Sequence, residues 1–309
     1  MSRAARPGIL VVDKPAGTTS FDVVTLLRRR LGFRRIGHAG TLDPAAVGVL
    51  PLLIGEATKL VPYLLDEDKE YLATIRFGVT TDTQDLSGRV LSTTTVPPLT
   101  RERLVTATRP FLGRIRQVPP MFSALHHEGR RLYELAREGF EVPREAREVV
   151  VHRIGVENVT DVTATLRIVC GRGTYVRTLA ADLGAALGCG GAIEFLVRTR
   201  VGPFERAQAV SAAEIRSSAP EAVWSRLLPP ETALSRWSAV RLGARAAVAF
   251  LHGQPGDVAV PPQVPATLVR VHDELGTMLG VGELLAGGRV VKPSRILHAD
   301  RPGTRVLPA

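Results

Sequence analysis

Lysine is scarce in this chain of 309 residues: of its 40 basic residues only Lys14, Lys59, Lys69 and Lys292 are lysines, and the rest are arginines. The positive charge is therefore carried by planar guanidinium forks, which suit phosphate and stack on bases; a GC-rich genome that favours arginine codons would give the same bias. Cysteine is scarce as well. Cys170 and Cys189 are too few for a disulfide framework and lack C-x-x-C spacing, so a reducing, cytoplasmic setting is expected. Long apolar runs are missing, and the run Ile9 to Val12 behind Arg3 and Arg6 is far too short for a signal peptide or a membrane span. Neither export nor a membrane partner is expected. The chain also has no Walker A segment, no G-x-G-x-x-G after a strand, no H-E-x-x-H and no G-x-S-x-G, which removes support for nucleotide hydrolysis, dinucleotide redox chemistry and zinc proteolysis. The seven histidines are scattered, and His126 and His127 are adjacent, poor spacing for two ligands on one helix face. No metal and no cofactor are expected.

What is present is an ordinary globular composition, 45% hydrophobic and 23% charged, with a net charge of +10 and a pI near 10.5. Such a charge predicts a polyanionic partner, and nucleic acid is the commonest one for a soluble chain. The length allows about two domains. The pattern predicts a strand over Gly8 to Asp13, a helix from Ser20 to Arg30 opened by the capping pattern Thr19 to Asp22, and an apolar stretch Val47 to Ile54. From Lys69 to Val79, Tyr71, Ala73, Ile75, Phe77 and Val79 alternate with more polar neighbours, the mark of a half-buried strand that points Tyr71 toward the core. Thr80 to Gly88 reads as a polar turn, Thr100 to Leu112 and Arg130 to Arg137 as helices, Val149 to Val156 and Thr163 to Val169 as strands, and Thr178 to Leu187 as a helix ended by Gly188. Strands and helices mix without a regular βαβ repeat, so the fold class is α+β. The composition shift between Arg206 and Trp237, with Pro229 and Pro230 near its end, sets the boundary between a domain of residues 1–230 and a small β-rich module of residues 231–309. The module shows short apolar runs at Ala246 to Leu251 and Ala266 to Val271.

The segment Gly37-His38-Ala39-Gly40-Thr41-Leu42-Asp43-Pro44 carries one carboxylate on a loop with glycines on one side and a proline on the other. Pro44 fixes its own φ and steers Asp43 away from the α region, so the carboxylate is held in place; on its own such a segment is more often an ordinary Asx turn. Further polar and aromatic candidates sit in glycine-marked segments: Lys14, His38, Tyr71, and the run Gly171 to Arg177, which includes Tyr175. Each has a plain structural reading. Lys14 can be a solvated loop charge, Tyr71 a core aromatic, Arg177 a helix-surface charge and His38 a loop hydrogen-bonder.

Taken together, seven segments in order resemble the TruB family of bacterial tRNA pseudouridine synthases, which act on uridine 55 in the T arm. They are Asp13 to Ser20, Gly37 to Pro44, Gly55-Glu56-Ala57-Thr58-Lys59, Thr81-Asp82-Thr83-Gln84-Asp85, Gln117 to Ala124, Gly173 to Arg177, and Asp182-Leu183-Gly184. The resemblance implies a catalytic domain with a mixed, mainly antiparallel sheet and an isomerase that moves the uracil glycosidic bond from N1 to C5. It implies that Asp43 is the catalytic aspartate, that Arg177 is its positive partner, and that Tyr71 stacks on the target base and is a candidate for removing the C5 proton. Tyr175 and Leu196 would line the pocket; Lys14 and His38 would support the loop or the RNA, with His38 filling the space left by a flipped base. A lone carboxylate suffices for such a reaction by covalent attack or by stabilising a sugar intermediate, and both routes stay open.

The C-terminal module resembles a PUA RNA-binding domain through Leu251-His252-Gly253-Gln254-Pro255, Leu279-Gly280-Val281-Gly282 and Lys292-Pro293-Ser294-Arg295. The implied partner is tRNA, bound through its T-arm stem-loop, by a monomer with no obligatory protein partner. Two other readings compete: a non-catalytic tRNA-binding or folding protein, and a guide-RNA-dependent pseudouridine synthase subunit. Phe122 and His126 stand where the family pattern has tyrosine and lysine, and Val197 and Thr199 replace residues that are often arginine and leucine, which bears on the wall near Leu196.

Overall fold

A computed structural model describes residues 7–259 and 267–298. Arg3, Arg6 and Ala266 lie outside the described residues. The chain divides into two compact units, one formed by Met1–Asp43, Val49–Leu65 and Val201–Ala309, the other by Pro44–Gly48 and Asp66–Arg200.

In the first unit the apolar run near the N-terminus becomes the strand Gly8–Lys14, buried on both faces. Ile9 and Val11 enter one core while Leu10 and Val12 enter another, as the two-residue period of a strand requires. The helix Ser20–Leu31 covers the second core with Val23, Val24 and Leu27. The expected capping box is present: Thr19 Oγ1 accepts from the Asp22 amide at 3.0 Å, and the Thr19 amide donates to Asp22 Oδ2 at 2.8 Å. Gly32, in the left-handed region at φ 60°, ends the helix. The apolar stretch is the strand Val47–Ile54, whose part in this unit lies beside Gly8–Lys14 and pairs antiparallel with Ile36–His38. The short strand Val210–Ser211 adds to Gly8–Lys14 in parallel.

The same unit holds a separate five-stranded sheet in the order Ala239–Arg241, Leu268–His272, Met278–Leu285, Val290–Ile296, Gly256–Asp257. Ala246 to Leu251, expected within a β-rich module, lies in the helix Ala244–Leu251. Its buried residues Ala247 and Phe250 are three apart, a helical spacing. This sheet has its own core around Phe250, Val269, Val271 and Val291, and it sends Val281 and Leu297 into the core that contains Ile9, Leu60 and Leu64.

The second unit is built on strands ordered Gly191–Val201, Lys69–Phe77, Thr163–Cys170, Arg147–Val159 and Gly113–Gln117. The last four pair antiparallel along that order. The alternation from Lys69 onward holds through Phe77 and stops at Gly78, which takes φ 82°. The helices Arg101–Thr108 and Val176–Ala186 touch one another, Val176–Ala186 touches Lys69–Phe77, and Arg101–Thr108 touches Arg147–Val159. The first of them ends at Thr108 rather than Leu112, with Pro110 in the short 3-10 turn that follows. The strand Gly191–Val201 was not anticipated, because Glu194, Arg198 and Arg200 hide its apolar face. Its approach to Val47 and Gly48 is close enough that a Cβ at Gly48, which has φ 108°, would lie 2.2 Å from the Arg198 carbonyl oxygen. Among the described residues no helix is long and apolar enough to cross a membrane.

Candidate active site

In the first unit the Asp43 loop is fastened at both ends. On the entry side Gly37 and His38 pair with Leu53 and Leu52, and the Ala39 amide donates to Pro51 O at 3.1 Å. Gly40 makes the turn at φ 91°, whereas Gly37 lies in regular strand and needs no special conformation. On the exit side the Leu42 amide donates to Ser20 Oγ at 2.9 Å, and that hydroxyl returns a bond to Leu42 O at 3.3 Å. Ala39 and Leu42 are buried, Asp43 is half-buried and Pro44 is exposed. The carboxylate therefore projects from a backbone whose neighbours are fixed by the first residue of a capped helix.

Lys14 is not a solvated charge. It is fully buried, and its Nζ donates to Thr18 O at 2.7 Å and to Pro15 O at 3.0 Å, closing the loop that leads into the same helix. His38 is half-buried on the strand that enters the Asp43 loop.

In the second unit Tyr71 faces the buried side of its strand, as the alternation required, opposite Ile168. Leu196 is also buried, on the neighbouring strand Gly191–Val201. Arg177 is the second residue of the helix Val176–Ala186 and is 4% exposed, which rules out the helix-surface reading. Its guanidinium is aimed by separate acceptors: Nη1 donates to Thr83 O at 2.6 Å, Nη2 to Phe122 O at 2.7 Å, and Nε lies 3.9 Å from Asp85 Oδ2. A planar fork reaching acceptors on two loops sets orientation as well as charge. Asp85 is fixed in turn, since its Oδ1 accepts from Thr83 Oγ1, the Ser87 amide and Ser87 Oγ. The loop that carries it is anchored by the exchange Ile193 N to Gln84 O and Leu86 N to Ile193 O, with Gln84 at φ 63° and its side-chain oxygen accepting from Thr178 Oγ1 at 2.9 Å. Tyr175, the residue before the helix, is gripped by buried Gln117 in both directions: its amide donates to Oε1 at 3.0 Å, and Nε2 donates to its carbonyl at 3.3 Å.

The comparisons with known proteins bear on these residues. Residues 28–176 match the TruB family pseudouridylate synthase N-terminal domain, residues 177–235 the tRNA pseudouridylate synthase B C-terminal domain, and residues 238–297 the pseudouridine synthase II TruB C-terminal domain. A protein of Moorella thermoacetica named tRNA pseudouridine synthase B is 45% identical over 93% of this chain and 95% of its own length. The chain belongs to the TruB family. A second relative in the family, from Pseudomonas aeruginosa and with the same name, is 42% identical over 96% of this chain and 98% of its own. Among solved structures, a Cbf5–Nop10–Gar1 complex contains a chain that is 25% identical, with a TM-score of 0.72 over 94% of this chain and 85% of that one. The α+β class with a mixed, mainly antiparallel sheet is thus that of the TruB and Cbf5 type.

Three TruB motifs contain residues whose part the sequence does not reveal. Ser20, Asp85 and Gln117 each lie inside one of these TruB segments, yet nothing in the segments says which backbone or guanidinium they hold. Arg198, 1% exposed, carried no signal at all.

Proposed function

We propose that the chain isomerises uridine to pseudouridine at position 55 in the T arm of tRNA, with Asp43 as the essential carboxylate. The observation that carries this reading is the full-length relationship to proteins named tRNA pseudouridine synthase B, together with an Asp43 loop tied down on both sides. On the family resemblance Arg177 is the positive partner of the catalytic carboxylate, Tyr71 stacks on the base and is the candidate for taking the C5 proton, and Tyr175 and Leu196 wall the pocket. Lys14 keeps the loop before the first helix closed, and His38 fills the place of the extruded base. Flipping costs a few kcal/mol, offset by stacking at about 1–3 kcal/mol per base and by phosphate contacts. The +10 charge serves the second of these.

The reaction is redox-neutral and takes no outside reagent, so the proposal includes no cofactor and no metal. We assign residues 1–230 to catalysis and 231–309 to a PUA-like RNA-binding module; a separate family match at 238–297 and a five-stranded sheet with its own core support that division. The protein acts as a cytoplasmic monomer without an obligatory protein partner. The test is incubation with unmodified T-arm RNA in the absence of metal, followed by chemical mapping of pseudouridine. Wild type should give product, and Asp43→Asn should lose at least about a thousandfold in rate while still binding tRNA. Equal product from both would remove Asp43 from the mechanism, and tight binding without product from wild type would favour a folding factor or a guide-dependent subunit.

A further inference from the structure

Three stretches conspicuous in the sequence, Gly55 to Lys59, Leu251 to Pro255 and Lys292 to Arg295, contain none of the residues proposed for the isomerisation. Within the first unit they meet at one open pocket of about 500 Å³ whose lining includes Lys59, Gly253, Ser294, Arg295 and His298. Glu56 organises this wall. Its Oε1 accepts from Arg35, and its Oε2 accepts from Lys59 Nζ at 2.6 Å and from the His298 amide at 3.2 Å. Lys59 Nζ also donates to Ile296 O at 2.7 Å, and Tyr63 Oη lies 3.1 Å from Ser294 Oγ. An ammonium has three donors, so two are directed at these partners and one is left for the pocket. Arg295 is exposed and spends one nitrogen on the Ser294 carbonyl at 2.8 Å, which leaves most of its fork for a ligand.

Arg35 and Lys59 pair with the carboxylate of Glu56, and Arg295 adds a further positive charge to the lining. The lining has no Phe, Tyr or Trp; beside the apolar Pro293 and Ile296 it presents the two cations and the Ser294 hydroxyl, which give an oxyanion its donors. An enclosed hole would suit a free phosphate. An open one lets a chain run out on both sides of the phosphorus. We propose that this pocket seats a backbone phosphate of the tRNA substrate between Lys59 and Arg295, with Ser294 and His298 at its rim. The assignment rests on the tRNA reading above and adds to it a residue, Lys59, that a sequence reading would place with the catalytic domain.

The test is equilibrium binding of the full chain to unmodified full-length tRNA over a range of salt concentrations. Arg295→Glu should bind about tenfold more weakly and show a salt slope smaller by about one. Arg245→Glu makes the same charge change on an exposed position of the helix Ala244–Leu251, away from the pocket, and should lose clearly less. Lys59→Met should follow Arg295→Glu; because it also releases Ile296 and Glu56, its melting temperature is taken alongside, and Arg295→Glu carries the test if that variant misfolds. Wild-type affinity and slope in Arg295→Glu, or a loss no greater than that of Arg245→Glu, would overturn the pocket. Pseudouridine formation by wild type on the same tRNA is read in parallel: its absence would sink the isomerase reading, whereas product together with wild-type binding by Arg295→Glu would sink only this pocket.

Discussion

The two units bury polar groups in different amounts and by different means. The first has Asp43 on a loop held by main-chain bonds and one hydroxyl, Ser20, inside apolar cores; among the described residues Lys14, Ser20, Glu56 and His272 are the buried polar side chains there. The second buries Lys69, Thr81, Asp85, Thr108, Gln117, Ser123, Arg177, Thr178 and Arg198, and several of them aim one another. Polar burial is costly unless every donor and acceptor is met, and a network that meets them fixes a single geometry. A loop pinned through its backbone tolerates side-chain change nearby. A guanidinium pinned through loop carbonyls and a carboxylate tolerates none.

That contrast is tested most severely at Arg177. Arg177→Lys keeps the charge but cannot reach both Thr83 O and Phe122 O, so two carbonyls lose their donor and Asp85 loses its neighbour. A loss of about 3 kcal/mol in unfolding free energy is expected from these combined deficits, with a fall in activity to match, measured by denaturant unfolding and single-turnover rates on T-arm RNA. Wild-type stability in this variant would mean that the polar network of the second unit orients nothing.

Ser20→Ala gives the smaller, complementary effect. The hydroxyl serves Leu42 alone, so stability should fall by about 1 kcal/mol. The loop before Asp43 is then free to shift by a fraction of an ångström, and kcat should drop about tenfold with KM unchanged, since placement rather than binding is lost. A rise in KM at constant kcat would show that the loop belongs to RNA binding instead.

Arg177 and Ser20 also differ from the rest of the fold in how plainly the sequence shows what they do. The alternation over Tyr71, the capping box at Thr19 and the apolar strand Gly8–Lys14 were legible because each follows a local period or a local hydrogen bond. The strand Gly191–Val201 was not, since a buried arginine, Arg198, interrupts its pattern. Arg177 could be named as a candidate from its motif, whereas the carbonyls that aim it, on loops 94 and 55 residues away, could not. Helix ends drifted by two residues, from Thr178 to Val176 at the start of the Arg177 helix, because Tyr175 offers no side-chain cap to mark the boundary.

The last test of the contrast sits beneath Tyr71, on the same face of its strand, where Lys69 lies opposite Cys170. Burial, with Arg198 nearby, holds the Lys69 ammonium down at about 8 against an ordinary 10.5, and burial pushes the Cys170 thiol up to about 12 from 9.0. Between pH 8 and 10.5 the unfolded chain keeps a proton on Lys69 that the folded chain has released, so this residue's contribution to stability rises with pH across that window. Between pH 9 and 12 the folded chain keeps the thiol proton that the unfolded chain has lost, so the contribution of Cys170 falls. The pair together should add stability from pH 8 to 9 at a slope approaching about 1.4 kcal/mol per pH unit, nearly cancel up to 10.5, and subtract beyond it. Unfolding of Lys69→Met and Cys170→Ser across this range separates the two: subtracting the first variant from wild type should leave only the rise, and subtracting the second only the fall. A flat difference for Lys69→Met would mean that the second unit keeps its lysine as well solvated as a surface residue, and the contrast in polar burial between the units would lose its sharpest case.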